Sequence, residues 1–227
     1  MLVNLFNQFE PPIMLNLPLI SLAVIFPLIL LTLKQARWLN NRISQLQMSS
    51  IKHFITHLMT PVAPTGHKWS LILASLMTLL VVMNSTGLLP YTFTPTTHLS
   101  INWGLAFSFW LATLITGFYN NPTQAFGHML PKNTPNFLIP LLIIIETASQ
   151  LVRPLALGVR LTANLTAGHL LIHLISSTLM QSATSIPLLF ICLFPLLPLL
   201  SLLEVAMAII QAYVFVLLLS LYLQENI

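Results

Sequence analysis

Two long apolar stretches in the C-terminal half of this sequence restrict the chain to a membrane fold. Residues 137–180 and 186–225 each run without a hydrophilic loop. As helices they would each be roughly 60 Å long at about 1.5 Å per residue, whereas the hydrocarbon core of a bilayer is about 30 Å thick. Each stretch is therefore either two spans joined by a tight turn, with breaks at 154–158 and 195–198, or one long, steeply tilted helix. The lack of a hydrophilic connector favours the long helices.

The scarcity of charge supports a membrane location for the whole chain. Only 5% of its residues are charged, against about 25% in soluble domains. Long apolar runs favour helices over a transmembrane barrel. The single cysteine, Cys192, excludes a disulfide within the chain. No phosphate-binding loop, nucleophile elbow or zinc motif occurs, so no cofactor or metal is predicted. The basic residues are too few and too dispersed to predict nucleic-acid binding.

The hydropathy pattern predicts an all-α integral membrane protein with one membrane domain, residues 1–227. Its predicted parts are an interfacial helix at 1–13, spanning helices at 17–33, 70–89 and 101–118, a basic loop with an amphipathic helix at 34–69, and two long tilted helices at 137–180 and 186–225 that form a hairpin. Five of the eight basic residues lie between the first two spans. The positive-inside rule places this loop on the cytoplasmic side of a membrane or, in a mitochondrion, on the matrix side.

Polar and small residues follow one face of the first long segment. They are Glu146, Gln150, Arg153, Leu157, Arg160, Asn164 and Gly168, in steps of three or four, and Leu157 alone is apolar. Residues so spaced share one face of a helix. On the second long segment Glu204 and Gln211 lie seven residues apart, also on one face. A hairpin folded about residues 183–184 would put Arg160 level with about residue 207 and Asn164 beside Glu204.

Arg160 is the residue on this polar face that costs the most free energy to place in a membrane. An arginine at the centre of a bilayer costs about 2.5–3.5 kcal/mol on insertion scales, and it keeps its charge. Its nearest acid in sequence is Glu146, fourteen residues earlier. Ionisable groups inside membranes usually line an ion pathway or a proton relay, and histidine, present at His169 and His173, titrates nearest to neutral pH. A proton channel, a respiratory-complex subunit or small secondary transporter, and a structural scaffold all remain open.

Other residues receive simpler interpretations. Arg153 is expected to cap a helix break or to extend towards the interface, and Glu225 to be a solvated charge at the chain end. His169 and His173 resemble half of a metal site, but they lack further ligands nearby. Glu204 has the alternative role of an internal partner of Arg160. The sequons at Asn84 and Asn164 lie in or beside spans, so neither predicts glycosylation.

The residues around Arg160 resemble subunit a of the rotary ATP synthase, in its animal mitochondrial form. The resemblance rests on Leu-Ala-Leu-Gly-Val-Arg-Leu-Thr-Ala-Asn at 155–164 and Ala-Gly-His at 167–169. Glu204, Gln211 and the loop Thr-Pro-Val-Ala-Pro-Thr-Gly at 60–66 support it. Histidine stands at 169 where bacterial relatives often carry glutamate, and glutamate at 204 where they often carry histidine.

The resemblance implies a mechanism in which the two long helices pack against a rotating ring of c subunits. Each c subunit offers one buried carboxylate to Arg160. Protons would enter by an aqueous half-channel from the intermembrane space and leave by a second one to the matrix. His169, Glu204 and Asn164 would serve the first half-channel and Glu146 the second, and Gln211 would position Arg160 by hydrogen bonding.

The resemblance also implies partners and a location. The partners would be the c-subunit ring, subunit b of the peripheral stalk, small accessory membrane subunits and membrane lipid, with protons as the transported ion. The chain would not be catalytic alone. It would lie in the mitochondrial inner membrane with its N-terminus towards the intermembrane space. The 34–68 loop and the C-terminus would face the matrix.

Overall fold

The structure is a computed structural model that describes residues 9–10, 13–14, 17–32, 42–60, 64–89, 92–120, 122, 127, 138–185 and 187–226. The predicted interfacial helix at 1–13 therefore falls mostly outside the described residues. The described elements are β1 Ile13–Met14, β2 Leu17–Pro18, α1 Leu19–Thr32, α2 Arg42–Met59, a 3₁₀ helix Pro64–Trp69, α3 Ser70–Gly87, a 3₁₀ turn Pro95–Thr97, α4 Leu99–Asn120, α5 Ile139–Ser185, α6 Pro187–Leu193 and α7 Leu196–Asn226. Apart from the two-residue strands, which pair antiparallel, the fold is all-α, as predicted.

Four of the described helical segments are long and apolar enough to cross a membrane, judged by length and composition. They are Gly66–Gly87, Leu99–Asn120, Ile139–Ala183 and Pro187–Asn226. The chain is thus a multi-pass membrane protein. The predicted span at 17–33 forms the 14-residue helix α1, which contains Pro27. At about 1.5 Å per residue α1 is roughly 21 Å long, shorter than the hydrocarbon core.

The first long C-terminal segment continues as a helix through a proline, whereas the second is interrupted at one. Helix α5 runs for 47 residues straight through Pro154, so the alternative of two spans broken at 154–158 is wrong. Proline removes one backbone hydrogen bond, and Pro154 is buried, so packing holds the helix through this point. The second segment is interrupted by a turn at Phe194 and Pro195, between α6 and α7. The favoured prediction was one continuous helix over 186–225, and this turn stands instead at the break position of the two-span alternative.

The described contacts group the chain into two compact units. The first comprises Met1–Lys34, Leu79–Ile101 and Arg160–Tyr213, and the second Gln35–Thr78, Asn102–Val159 and Val214–Ile227. Helices α3, α4, α5 and α7 each contribute residues to both. Buried apolar side chains of the first unit include Leu80, Met83, Leu161, Leu165, Ala208 and Ala212, and those of the second include Leu73, Leu76, Ala106, Trp110, Phe215 and Leu219.

Two glycines allow close helix approaches within the second unit. A Cβ atom on Gly158 of α5 would lie 2.9 Å from Cδ1 of Trp103 on α4. A Cβ atom on Gly117 of α4 would lie 2.8 Å from the main-chain oxygen of Asn226, at the end of α7. Small residues let the backbones of membrane helices approach closely. In the second unit, α4 therefore packs against both long helices at glycine positions.

Candidate functional site

Helices α5 and α7 are joined by polar side chains within the first unit. Nδ2 of Asn164 donates a hydrogen bond of 2.9 Å to Oε1 of Gln211. Five residues further along α5, Nδ1 of His169 lies 3.2 Å from Oε1 of Glu204. The later residue on α5 faces the earlier residue on α7, so the two helices run antiparallel. The predicted hairpin is confirmed.

The register of this hairpin differs from the predicted one. Asn164 faces Gln211 rather than a residue near 203, a shift of about two helical turns. The physical reason is the connection: α5 continues to Ser185, and the short helix α6 and a turn precede α7. The axis of the hairpin therefore lies beyond residues 183–184. Arg160 is therefore not level with residue 207. The side-chain oxygen Oε1 of Gln211 accepts its hydrogen bond from Asn164. The positioning of Arg160 by Gln211 stays a prediction.

The carboxyl group of Glu204 is buried beside a glycine. The Glu204 side chain is 7% exposed and that of His169 is 21% exposed. A Cβ atom at Gly168 would lie 3.1 Å from Oε1 of Glu204, so the missing side chain at Gly168 leaves the carboxyl group its space. Oε1 is buried and has no well-aligned hydrogen bond among the described residues. The pairing of Glu204 with His169 therefore rests on the 3.2 Å distance between Oε1 and Nδ1.

The same pair borders a cavity of about 1030 Å³ in the first unit. Its lining is formed by Phe9, Glu10, Gly87, Leu88, Leu89, Thr92, Phe93, Thr94, His169, Ile172, Pro198, Ser201, Leu202, Glu204 and Val205. The volume is ample for water, and polar side chains stand within a lining that is otherwise apolar. The titratable groups in this lining are Glu10, His169 and Glu204. No role was predicted for Glu10 from the sequence, although it is one of only four acids in the chain.

Arg160 lies on an exposed face of α5. Its side chain is exposed, as are those of Ala163, Ala167, Leu171 and Leu174 at steps of three and four along the helix. Within the described part of the chain, no hydrogen bond or ion pair reaches the Arg160 guanidinium. The charge of Arg160 therefore lies on an exposed helix face whose other named residues are alanine and leucine.

Glu146 and Arg153 belong to the second unit, where their environments differ. Glu146 is half-buried on α5, and its carboxylate forms no ion pair with the residues described. Arg153 forms an ion pair with Glu225 of α7, and its guanidinium carbon lies 5.4 Å from the centre of the Tyr222 ring. The expectation that Arg153 caps a helix break is wrong, because α5 does not break there. Glu225, 57% exposed, has a defined partner and is not simply a solvated end charge.

His169 and His173 are not part of a metal site within the described residues. No three histidine, cysteine, aspartate or glutamate side chains of the described residues are grouped closely enough to hold a metal ion. His173 lies one turn beyond His169 on α5, and its Nδ1 atom is buried without a hydrogen bond to any described residue.

Fold and site together define a class of protein: a multi-pass helical membrane protein with a part-buried histidine beside a buried glutamate and an arginine on an open helix face. The family described as ATP synthase A chain matches residues 15–224. The chain belongs to this family.

Relatives from birds and fishes match the chain along its whole length. The ATP synthase F(0) complex subunit a of Struthio camelus is 57% identical over 225 residues, covering 99% of both chains. The proteins of the same name from Gadus morhua and Salmo salar are 55% and 56% identical over 227 residues, covering 100% of both chains.

Proposed function

We propose that this chain is the stator subunit of the membrane sector of an ATP synthase, and that it carries protons to and from a rotating ring of c subunits. Proton flow through it would drive rotation and so ATP synthesis. The chain would not catalyse ATP formation by itself. Family membership and full-length relatives named ATP synthase F(0) complex subunit a support this role.

The exposure of Arg160 is the observation that carries the proposal. An arginine keeps its charge in an apolar environment, and there it is stable only beside an anion or within a polar cavity. The described residues supply no anionic partner to Arg160. The partner is therefore assigned to another protein, as a carboxylate that each c subunit brings past Arg160 in turn. Arg160 would stabilise the ionised form and prevent protons from crossing directly between the two half-channels.

The cavity beside His169 and Glu204 is assigned to proton uptake from the intermembrane space. Both side chains exchange protons readily, and 3.2 Å between Nδ1 and Oε1 is within the range for direct proton transfer. Both residues line the cavity, so water inside it would deliver protons to Glu204. Asn164, whose side chain is fixed by Gln211, would complete the polar lining towards Arg160.

Release to the matrix is assigned to Glu146. It lies fourteen residues before Arg160 on α5, and its carboxylate is unpaired among the described residues. A free, half-buried carboxylate suits a group that accepts a proton and gives it up again. The driving force would be about 2.3 kcal/mol per charge for each 100 mV.

The proposed setting is the inner mitochondrial membrane. The N-terminus would face the intermembrane space, and the basic loop at 34–68 and the C-terminus would face the matrix, in line with the positive-inside rule. Besides the c-ring, the proposed partners are subunit b of the peripheral stalk, small accessory membrane subunits and membrane lipid.

The test is ATP-driven proton pumping by the assembled enzyme in vesicles, with Arg160→Ala compared with Arg42→Ala. Arg42 is an exposed basic residue at the start of α2. We expect R160A to abolish coupled pumping and ATP synthesis, because the carboxylate loses its counter-ion, and R42A to leave both intact. Normal pumping by R160A would refute the proposed role.

A further inference from the structure

Asn84 is a buried polar residue on α3 to which the proposed proton path assigns no role. The residue is 2% exposed. Nδ2 of Asn84 donates a hydrogen bond of 3.1 Å to the main-chain oxygen of Ala208 on α7, 124 residues away in sequence. Both residues belong to the first unit. A side chain of α3 is thus bonded directly to the backbone of α7.

The bond reaches α7 between its two polar side chains. Ala208 follows Glu204 by one helical turn and precedes Gln211 by three residues. Glu204 and Gln211 are the residues of α7 that face His169 and Asn164 of α5. Helix α7 is therefore held by polar contacts from two different helices within two turns, and the contact from α3 is the one made to its main chain.

A hydrogen bond to the main chain fixes the position of α7 along and around its axis, which apolar packing alone does not fix. Around Ala208 helix α7 carries chiefly Leu, Ile, Val and Ala, and attraction between apolar surfaces has no preferred direction. A hydrogen bond has a narrow range of distance and angle, and a buried amide that loses its partner is left unsatisfied at a cost in free energy. The Asn84 bond therefore resists both sliding and rotation of α7. Either motion would move Glu204 away from His169.

We propose that Asn84 is a positioning residue, which holds α7 in the register that keeps Glu204 beside His169. This proposal rests on the proposed function, because Asn84 matters for turnover only if Glu204 and His169 take up protons. It differs from a general packing role in depending on a single donor atom. A variant that fills the same space without that donor should therefore show a lower turnover.

Ser85, the next residue on α3, supplies a matched control. Its side chain is exposed, and its Oγ donates to Val82 of the same helix over 3.0 Å. Ser85→Leu therefore removes a polar side chain from the same turn of α3 without touching the contact to α7.

The experiment compares N84L, N84D, S85L and E204Q in the assembled enzyme reconstituted in vesicles. ATP synthesis per assembled complex is measured under a fixed proton-motive force while the pH on the uptake side is varied. We expect N84L to reduce turnover roughly tenfold, which corresponds to about 1.4 kcal/mol, at every pH. S85L should match the unmodified protein.

The N84D variant separates positioning from packing. The introduced carboxyl group has nearly the shape of the amide, but it can donate to Ala208 only while protonated. We expect N84D to work almost normally at acid pH and to fall to the level of N84L at alkaline pH. The titratable groups nearby, Glu10, His169 and Glu204 in the cavity lining and His173 on α5, are the same in N84L and N84D. A pH step found only in N84D therefore belongs to residue 84.

The outcomes distinguish the two proposals. Unchanged turnover in N84L, with E204Q impaired, would overturn the positioning role alone. Should N84L fail to assemble, a pH profile of N84D parallel to that of the unmodified protein would overturn it. Unchanged turnover in E204Q as well would contradict the proton path itself.

Discussion

Nδ1 of His169 lies 3.2 Å from Oε1 of Glu204, although 35 residues separate the two in sequence. The two side chains come from antiparallel helices and border the same cavity. Both can carry a proton, and neither is fully exposed to solvent. In the proposed path, proton uptake begins at that contact.

Replacing Glu204 with glutamine should slow proton uptake. The amide keeps the shape of the side chain but cannot exchange a proton, and positioned acid–base groups typically contribute about 10²–10⁴-fold to a rate. We expect a decrease of about a hundredfold in passive proton flux through the membrane sector, measured with a pH-sensitive dye in vesicles. Glu204→Asp, which keeps an exchangeable carboxyl group, should retain part of the flux. An unchanged flux in E204Q would reduce Glu204 to a structural partner.

Adding one methyl group at Gly168 should disturb the same carboxyl group. A Cβ atom there would lie 3.1 Å from Oε1 and 3.3 Å from Cγ of Glu204, so the Glu204 carboxyl group must shift by a few tenths of an ångström from its position beside His169. We expect Gly168→Ala to lower proton-driven ATP synthesis roughly tenfold while assembly persists, because a small misplacement of a reacting group is costly.

Gly104→Ala is the control for this substitution. Gly104 lies within helix α4, and no atom stands within 4 Å of the position that a Cβ atom would take there. Alanine is favoured over glycine inside helices by up to about 1 kcal/mol, so G104A should be neutral or slightly stabilising. Equal activity of G168A and the unmodified protein would show that the carboxyl group tolerates displacement.

The ion pair between Arg153 and Glu225 should contribute little to stability. The side chains are 32% and 57% exposed, and exposed ion pairs are typically worth about 1 kcal/mol or less. We expect Arg153→Gln and Glu225→Gln to shift the heat-inactivation midpoint of the complex only slightly. The exchanged double variant R153E/E225R should restore part of the loss. A large loss in either single variant would indicate that the pair has a role beyond its local contact.

Glu10 should act on proton uptake through its charge. It is an exposed residue that lines the cavity together with His169 and Glu204, and an exposed carboxylate raises the local concentration of cations. We expect Glu10→Gln to reduce the uptake rate about twofold at low ionic strength. The difference should vanish at high salt, because the screening length falls to about 10 Å at 0.1 M and about 3 Å at 1 M. A salt-independent defect would argue for a steric effect instead.

The sequence predicted the helical membrane fold well because hydropathy and helical spacing are local properties. The three- and four-residue steps around Arg160 predicted a polar face on α5, and the spacing of Glu204 and Gln211 predicted the matching face of α7. Pro154 was ambiguous, because whether a helix continues through a proline depends on the packing around it, which the sequence does not contain.

Contacts between helices were harder to predict from the sequence. The register of the hairpin depends on the geometry of α6 and of the turn at Phe194 and Pro195, and a change in this connection displaced the predicted partner of Asn164 by two turns. The pairing of Arg153 with Glu225 and the bond from Asn84 to Ala208 join residues far apart in sequence. No local pattern encodes such pairs.

The most direct test of the proposed role is the identity of the acid nearest to Arg160 in the assembled membrane sector. A structure of the complete complex would measure the distance from the Arg160 guanidinium to every carboxylate around it. We predict that the nearest one belongs to a c subunit and lies within about 6 Å, close enough to favour its ionised form. A guanidinium paired with Glu146 or Glu204 of its own chain, with no c-subunit carboxylate in reach, would contradict this role.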